Sequence, residues 1–515
     1  MFASVKALIV VLTIATAIFF LAKPIAMQFM SKEDFSRRRI VWFVLTAAGL
    51  MSPNVWLYAV LAVPMLIWAG RNDSNPVALY LLLMHVVPPI EVTIPLIGNH
   101  GLISLDNYRL LALCVLLPAI MRYRKNPQEA RQGTFGLMDV LLLAFGVLQV
   151  TLYTPPDLPF HQIIPDSTTN VARRILLFFL DTYLLYYAVS RLLQSRKKMI
   201  DTLATFVLGC AVMSALAMFE RTRNWLLYVD IAGRWGADPN ATYYLMRGGS
   251  VRAQVSAGHS IALGLLISIA FGFSLYLMSH LRSRIQRIGL ALLLWGGLFG
   301  AFSRGGWLGS AVIYFAFIAA GPRAVSRFVR GACIVGAVAS VIALSPLGDQ
   351  ILELLPKSGQ PADLYRLRLA ERGWEVALEG PLFGNQFPWP ELEDLRQGEG
   401  IIDLVNSYLG VALGYGLVGL FFFASFFLLG MLKDYMRARE LSRSDPDLAL
   451  LGTSLFASAV GMLVMIKNTS FVLGTEKMFW VLAGLAVAYA TLERLPLKRL
   501  QRRPLRRDAQ KILQD

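Results

Sequence analysis

Six arginines give this 515-residue chain its first chemical hint: Arg247, Arg252, Arg304, Arg366, Arg368 and Arg372. A guanidinium is a planar fork of N–H donors that grips phosphate by paired, charge-assisted hydrogen bonds. Acids stand close by in the sequence, among them Glu371, Glu375, Glu379, Glu391, Glu393 and Asp394. Taken singly, each arginine reads as an ion-pair partner for one of these. Taken as a set, they suit a lipid-linked diphosphate. No Cys-x-x-Cys or Cys/His spacing suggests a metal, because Cys114, Cys210 and Cys333 each sit inside an apolar run and read as small buried hydrophobes.

The elements that must hold these residues are membrane helices. Only 16% of the chain is charged and 56% is hydrophobic, whereas soluble domains carry about 25% charged residues. Apolar runs recur from Ala7 to Leu492, long enough to read as spans. The fold expected is all-α, a polytopic bundle of about 12–15 spans, with residues 1–515 as a single integral membrane domain. Spans are expected near 4–22, 40–52, 53–69, 76–90, 102–121, 136–150, 172–190, 199–219, 258–278, 286–302, 305–320, 331–345, 405–431, 448–467 and 473–492. The opening run lacks a small-residue cleavage site and reads as a helix rather than a signal peptide.

Net charge is +16, and its distribution sets an orientation. Lys and Arg gather in one alternating set of loops, around residues 23–39, 122–131, 191–198, 282–287, 323–330, 433–443 and 494–511. By the positive-inside rule that set faces the cytoplasm, with the C-terminus. The basic tail, 493–515, reads as a lipid-headgroup contact rather than a nucleic-acid arm. The other side carries two long connections, 220–257 and 346–404, and connections of that length are functional or disordered. All six arginines fall on this outer side, against the rule.

Three local patterns sharpen the picture. Ser303-Arg304-Gly305-Gly306-Trp307 is a turn between apolar runs, with a cation at the boundary and glycines that let a ligand approach; a plain hairpin turn with a snorkelling arginine is the alternative. Arg247-Gly248-Gly249 echoes it. Residues 365–378 have apolar positions at helical spacing, with Arg368, Glu371, Arg372 and Glu375 on another face, which predicts an amphipathic helix on the membrane. Asp403 to Leu409 opens a long apolar run, and Asp403 and Asn406 are placed to cap it.

Ser303 to Trp307, then Trp374-x-x-Ala377-Leu378 with Pro381-Leu382-Phe383-Gly384, then Asn406-Ser407-Tyr408-Leu409 with Gly414, Gly416 and Gly419, resemble the O-antigen ligase and O-antigen polymerase superfamily. The segment from Arg252 to Gly264, with His259, is similar to that family's approach to a central helix. The resemblance covers roughly residues 240–430. It implies a membrane-embedded glycosyltransferase of the bacterial inner membrane, acting at the periplasmic face without cofactor or metal. The donor it implies is a glycan on undecaprenyl diphosphate, and the partners are membrane lipids and a chain-length regulator of polysaccharide assembly, with no nucleic acid. Polymerisation of an exopolysaccharide or O-antigen is expected; transfer to lipid A core, as in a ligase, is the alternative. Val405 stands where the family often has His, which speaks against the ligase. Trp374, Asn406, Tyr408 and His259 are the other motif residues carried over.

Breaking a sugar–diphosphate bond requires fixed cations around the departing charge. That role falls to Arg252 and Arg304, assisted by Arg366 or Arg368, with Arg247 and Arg372 as further diphosphate contacts. The acceptor hydroxyl must lose a proton. Asp403 is the first candidate for the base and Glu375 the second, or the diphosphate oxygen takes the proton itself. A lipid-linked glycan transporter is the rival of another class, but transporters place charges near the midplane on repeated, broken helices, whereas these crowd one boundary.

Overall fold

A computed structural model of the chain describes residues 2–96, 99–125, 135–152, 171–236, 245–247, 249–321, 361–385, 388–397, 402–469 and 474–492. The described residues are helical except for two short antiparallel hairpins, β1 (Val92–Leu96) with β2 (Asn99–Leu105), and β3 (Met246–Arg247) with β4 (Ser250–Val251). Expected features at 153–170, 331–345 and 493–515, and the start of the second long connection, lie outside the described residues.

The N-terminal third runs through α1 (Phe2–Ala26), α2 (Lys32–Met51), α3 (Val55–Asn72) and α4 (Pro76–Leu83). Side chains start two of these helices: Ser31 accepts from the Asp34 N–H, so that α2 begins ahead of the expected 40, and Asn54 accepts from the Leu57 N–H. Two expected spans are cut short. The 76–90 run is helical only to Leu83, because Pro88 and Pro89 lie just ahead and cannot donate to a helix ladder. The 102–121 run gives its first residues to β2, so α5 (Asn107–Leu111) starts at an Asp106 cap and continues through a π turn, Ala112–Leu116, into α6 (Leu117–Lys125).

Then follow α7 (Leu137–Thr151), α8 (Val171–Phe178), a π turn at Phe179–Tyr183, α9 (Leu184–Leu192), α10 (Arg196–Arg223), the short α11 (Val229–Arg234), α12 (Ser260–His280), α13 (Arg284–Ala301) and α14 (Arg304–Ala320). The C-terminal third holds α15 (Pro361–Glu379), a 3₁₀ turn at Trp389–Leu395, α16 (Ser407–Leu441), α17 (Pro446–Lys467) and α18 (Thr475–Thr491). Among the described residues, seven helices are long and apolar enough to cross a membrane, and α7 and α14 are shorter apolar helices. The apolar windows of α10 and α12 are 83% buried against 22% for α1, so those two form the bundle centre and α1 its rim.

Small residues set the closest helix contacts, as lipid-embedded packing favours. A Cβ on Gly306 of α14 would stand 2.9 Å from the Gly264 carbonyl of α12. The Ser268 hydroxyl donates to the Gly306 carbonyl at 2.7 Å, and Ser310 donates to Ser268 at 3.1 Å. At the end of the bundle where the basic loops gather, buried Arg38 joins Asp73 (2.7 Å) and Asp201 (2.6 Å), stapling α2, the end of α3 and α10. Every donor of such a buried cation needs a partner, and the end of α3 and α10 supply them here.

Candidate active site

The opposite end of the bundle carries α15. Its apolar face, Leu369, Val376 and Ala377, packs on Leu409, Ala412 and Leu413 of α16 and on Leu392 and Leu395 of the 3₁₀ turn, with half-buried Trp374 at the seam. The turn after α15 docks into a break in α16. Gly416 leaves helical geometry (φ 64, ψ −169), which frees N–H groups on its far side. Leu417 N–H donates to Pro381 (2.8 Å), Val418 N–H to Leu382 (3.2 Å), and Asn385 N–H to the Leu413 carbonyl (2.6 Å). Both Gly384 (φ 68) and Gly416 adopt left-handed backbone with no room for a side chain. Broken backbone at such a depth is tolerated where other protein groups satisfy it, and residues 381–385 do that here.

This docking sets up a cleft of about 730 Å³ lined by Tyr365, Arg366, Arg368, Asp394, Arg396 and Asp403, with Leu364, Leu395, Gln397 and Val405. Arg366 and Arg368 are exposed, so a ligand can reach them from solvent. Asp403 is fixed by its backbone: its N–H donates to the Tyr365 hydroxyl (3.0 Å), which in turn donates to the Asp403 carbonyl (3.1 Å). The next residues form successive γ-turn bonds, Val405 N–H to Asp403 (2.9 Å) and Asn406 N–H to Leu404 (2.7 Å). Alternate residues therefore face opposite ways. Asp403 and Val405 line the arginine cleft, while Leu404 and Asn406 line a second cavity of about 580 Å³.

The remaining expected residues separate into groups. Arg372 pairs with Glu375 one turn along α15 (3.1 Å), and neither lines the cleft; Glu375 is mostly exposed. Asn406, not Asp403, caps α16, its side chain accepting from Tyr408 N–H (3.1 Å) and Leu409 N–H (3.3 Å). Asp403 stands three residues ahead of that cap. The Tyr408 hydroxyl donates to the Leu463 carbonyl (3.0 Å) and locks α16 to α17.

Arg252, His259 and Arg304 belong to the tops of α12 to α14. His259 caps α12, its Nδ1 accepting from the Ile261 N–H (3.2 Å). Burial, and then the charge of Arg252, push its imidazole down to about 4, so it is neutral at pH 7. Arg304 is the first residue of α14, after Phe302 turns the chain in left-handed conformation (φ 48). Ser303 lies against Gly264, five residues into the chain beyond His259, so Arg304 and His259 sit within roughly 8 Å along the helix axes. The glycine expected to admit a ligand, Gly306, instead meets the α12 backbone. Arg247 lies on the β3–β4 hairpin, whose neighbour Arg252 donates its N–H to the Leu245 carbonyl (2.8 Å). The first long connection starts later than expected: Glu220 is the buried end of α10 and accepts from the N–H groups of Leu227, Gln254 and Val255, each at 2.9 Å. It is thereby the anchor that pins the Arg252 segment.

Four residues contribute beyond those the sequence points to. Tyr365 was read as the edge of an amphipathic helix, and its hold on Asp403 spans 38 residues. Arg396 reaches the cleft from the 3₁₀ turn. Arg173 and Arg174 line the second cavity. These last two had a signal: they follow an outer connection, 153–170, that has no Lys or Arg, and so break the charge rule as the other six do.

The chemistry this arrangement permits is anion binding by Arg366 and Arg368 beside a carboxylate, Asp403, whose backbone is held in place; Arg396 also lines the cleft but is paired with Glu393 (2.6 and 2.7 Å). The cleft lies at one end of a helical bundle whose long apolar helices mark a polytopic membrane protein. Residues 289–424, which span α13, α14, the cleft and the first half of α16, match the family model described as O-Antigen ligase. The match supports the O-antigen ligase and polymerase superfamily for this chain. No curated protein matches it.

Proposed function

We propose that the chain is a membrane glycosyltransferase that polymerises repeat units, with a glycan on undecaprenyl diphosphate as donor, at the periplasmic face of a bacterial inner membrane. The single observation that carries this is the cleft in which Arg366 and Arg368 share a wall with Asp403. In the reaction the bond from the sugar anomeric carbon to the diphosphate oxygen breaks, and the lipid diphosphate leaves with the electron pair. The acceptor hydroxyl oxygen bonds that carbon, and its proton passes to the Asp403 carboxylate. Arg366 and Arg368 offset the charge that grows on the leaving oxygen. Arg252 and Arg304 complete the cationic rim at the tops of the neighbouring helices.

Val405, an apolar side chain on the cleft wall beside Asp403, leaves the carboxylate as the proton acceptor there and favours polymerase over ligase. The full chain in nanodiscs with carrier-linked repeat units tests the proposal. A ladder of longer carrier-linked glycans supports polymerase. Transfer to added lipid A core supports the ligase. Full activity in Arg368→Gln overturns the cleft assignment.

A further inference from the structure

We infer that the second cavity, behind the 403–406 segment, is the subsite for the acceptor saccharide; this rests on the glycosyltransferase reading above. The cavity opens at the same end of the bundle as the arginine cleft and shares the 403–406 segment with it as a wall. Its volume, about 580 Å³, falls in the roughly 300–1,000 Å³ range of small-ligand pockets.

Its lining differs in kind from the cleft. Phe145, Phe178, Tyr415, Phe423 and Trp480 supply ring faces and edges. Polar groups stand among them: Arg173, Arg174, Asn406, Asp181 and Glu476. Among the described residues the cleft, by contrast, has no aromatic side chain on its wall except Tyr365. Both carboxylates of the cavity are held in place. Asp181, on a π turn, receives Arg109 (2.7 Å) and Lys477 (2.6 Å), and Lys477 also meets Glu476 (3.0 Å). Arg174 donates to the Tyr415 hydroxyl (3.0 Å), which orients its guanidinium. Aromatic walls with fixed donors and acceptors suit a polyhydroxylated ring, whose C–H faces pack on aromatics while its hydroxyls bridge the polar groups. A saccharide seated here extends its hydroxyl past the narrow 403–406 wall toward the donor.

Gly410 gives a clean test. It lines the cavity, and a Cβ there meets nothing within 4 Å, so a side chain at this position starts in open space and extends from the cavity wall. The probe is the free repeat-unit oligosaccharide, released from the cell's own carrier lipid by mild acid and therefore without lipid or phosphate. Binding is measured with the full chain in nanodiscs. Wild type is expected to bind it saturably, and Gly410→Trp to lose about tenfold or more in affinity. Arg174→Gln should also weaken it, while Arg368→Gln, on the other side of the wall, leaves it unchanged. A Gly410→Trp variant of unaltered thermal midpoint that still binds normally overturns the assignment, as does failure of wild type to bind. Loss in Arg368→Gln but not in Gly410→Trp would move the saccharide to the cleft. Failure of the glycosyltransferase reading looks different: turnover of the carrier-linked donor by wild type is then absent whatever the saccharide binding shows.

Discussion

Arg368 and Arg372 are one helical turn apart on α15 and their environments part them. Arg368 lines the cleft with Asp403, and Arg372 is spent on Glu375. Removing a donor that stabilises a developing anion costs about 10²–10³ in rate, whereas an exposed ion pair is screened by water and contributes little. Arg368→Gln should therefore lower glycan transfer by about 100-fold, and Arg372→Gln should leave it within about threefold, both read as polymer formed per unit time by protein at equal expression. Tyr365→Phe removes only the hydroxyl that holds the Asp403 backbone. It should lower kcat by about tenfold with donor KM unchanged, since a hydrogen bond of this kind is worth roughly 0.5–1.5 kcal/mol; a change confined to thermal stability would show that the tyrosine only supports the fold. His259 carries a pH signature of the fold. Its folded value, about 4, lies below the ordinary 6.5, so the unfolded chain binds more protons between those limits and stability rises with pH through that window. The thermal midpoint of wild type should fall as pH drops from 7 to 4, and that part of the fall should vanish in His259→Gln.

At the scale of elements, the junction of the 381–385 turn with α16 decides whether the cleft exists. α16 is broken at Gly416 so that its freed N–H groups donate to the carbonyls of Pro381 and Leu382. An L-residue in that conformation costs about 1–3 kcal/mol, and a side chain would meet the Leu382 carbonyl. Gly416→Ala should lower the thermal midpoint and expose residues 380–390 to protease. Gly410→Ala on the same helix has open space and should raise the midpoint, by the roughly 1 kcal/mol that separates glycine from alanine in a helix. Equal behaviour of the two variants would count against a built break. The apolar side of α15 follows the same logic. Leu364, Leu367, Leu378, Leu382 and Phe383 are exposed on the protein, next to Leu417 and Phe421 of α16, which are exposed as well. Lipid covers such a stripe at the membrane boundary.

For the molecule as a whole, orientation is the claim to check. The basic loops and the Arg38–Asp73–Asp201 staple lie at one end, and the cleft and the second cavity at the other. With Cys333 replaced by Ser and Cys114 and Cys210 buried, a single reporter cysteine can be read cleanly. Gln397→Cys on the cleft wall should react with an impermeant maleimide in intact spheroplasts. Ser283→Cys, between α12 and α13, should react only after the membrane is opened. The reverse pattern would place the cleft in the cytosol and remove the periplasmic reaction.

The sequence by itself determined the helical class, the ends of most helices, and the amphipathic helix that carries Arg366 and Arg368. These follow from local causes: apolar run length, capping side chains and helical spacing all act within a few residues. It could also rank arginines as a set, because their position against the charge rule is visible along the chain. Only the tertiary structure decided which of them share a wall with Asp403, because that depends on a helix break at Gly416 and on a tyrosine 38 residues away. Likewise Asp403 and Asn406 are equivalent cap candidates in one dimension, and their separation into two cavities arises from an extended segment between packed helices. Contacts across long sequence distances have no periodicity for a sequence reader to follow, and they exist only once the apolar faces have been buried against one another.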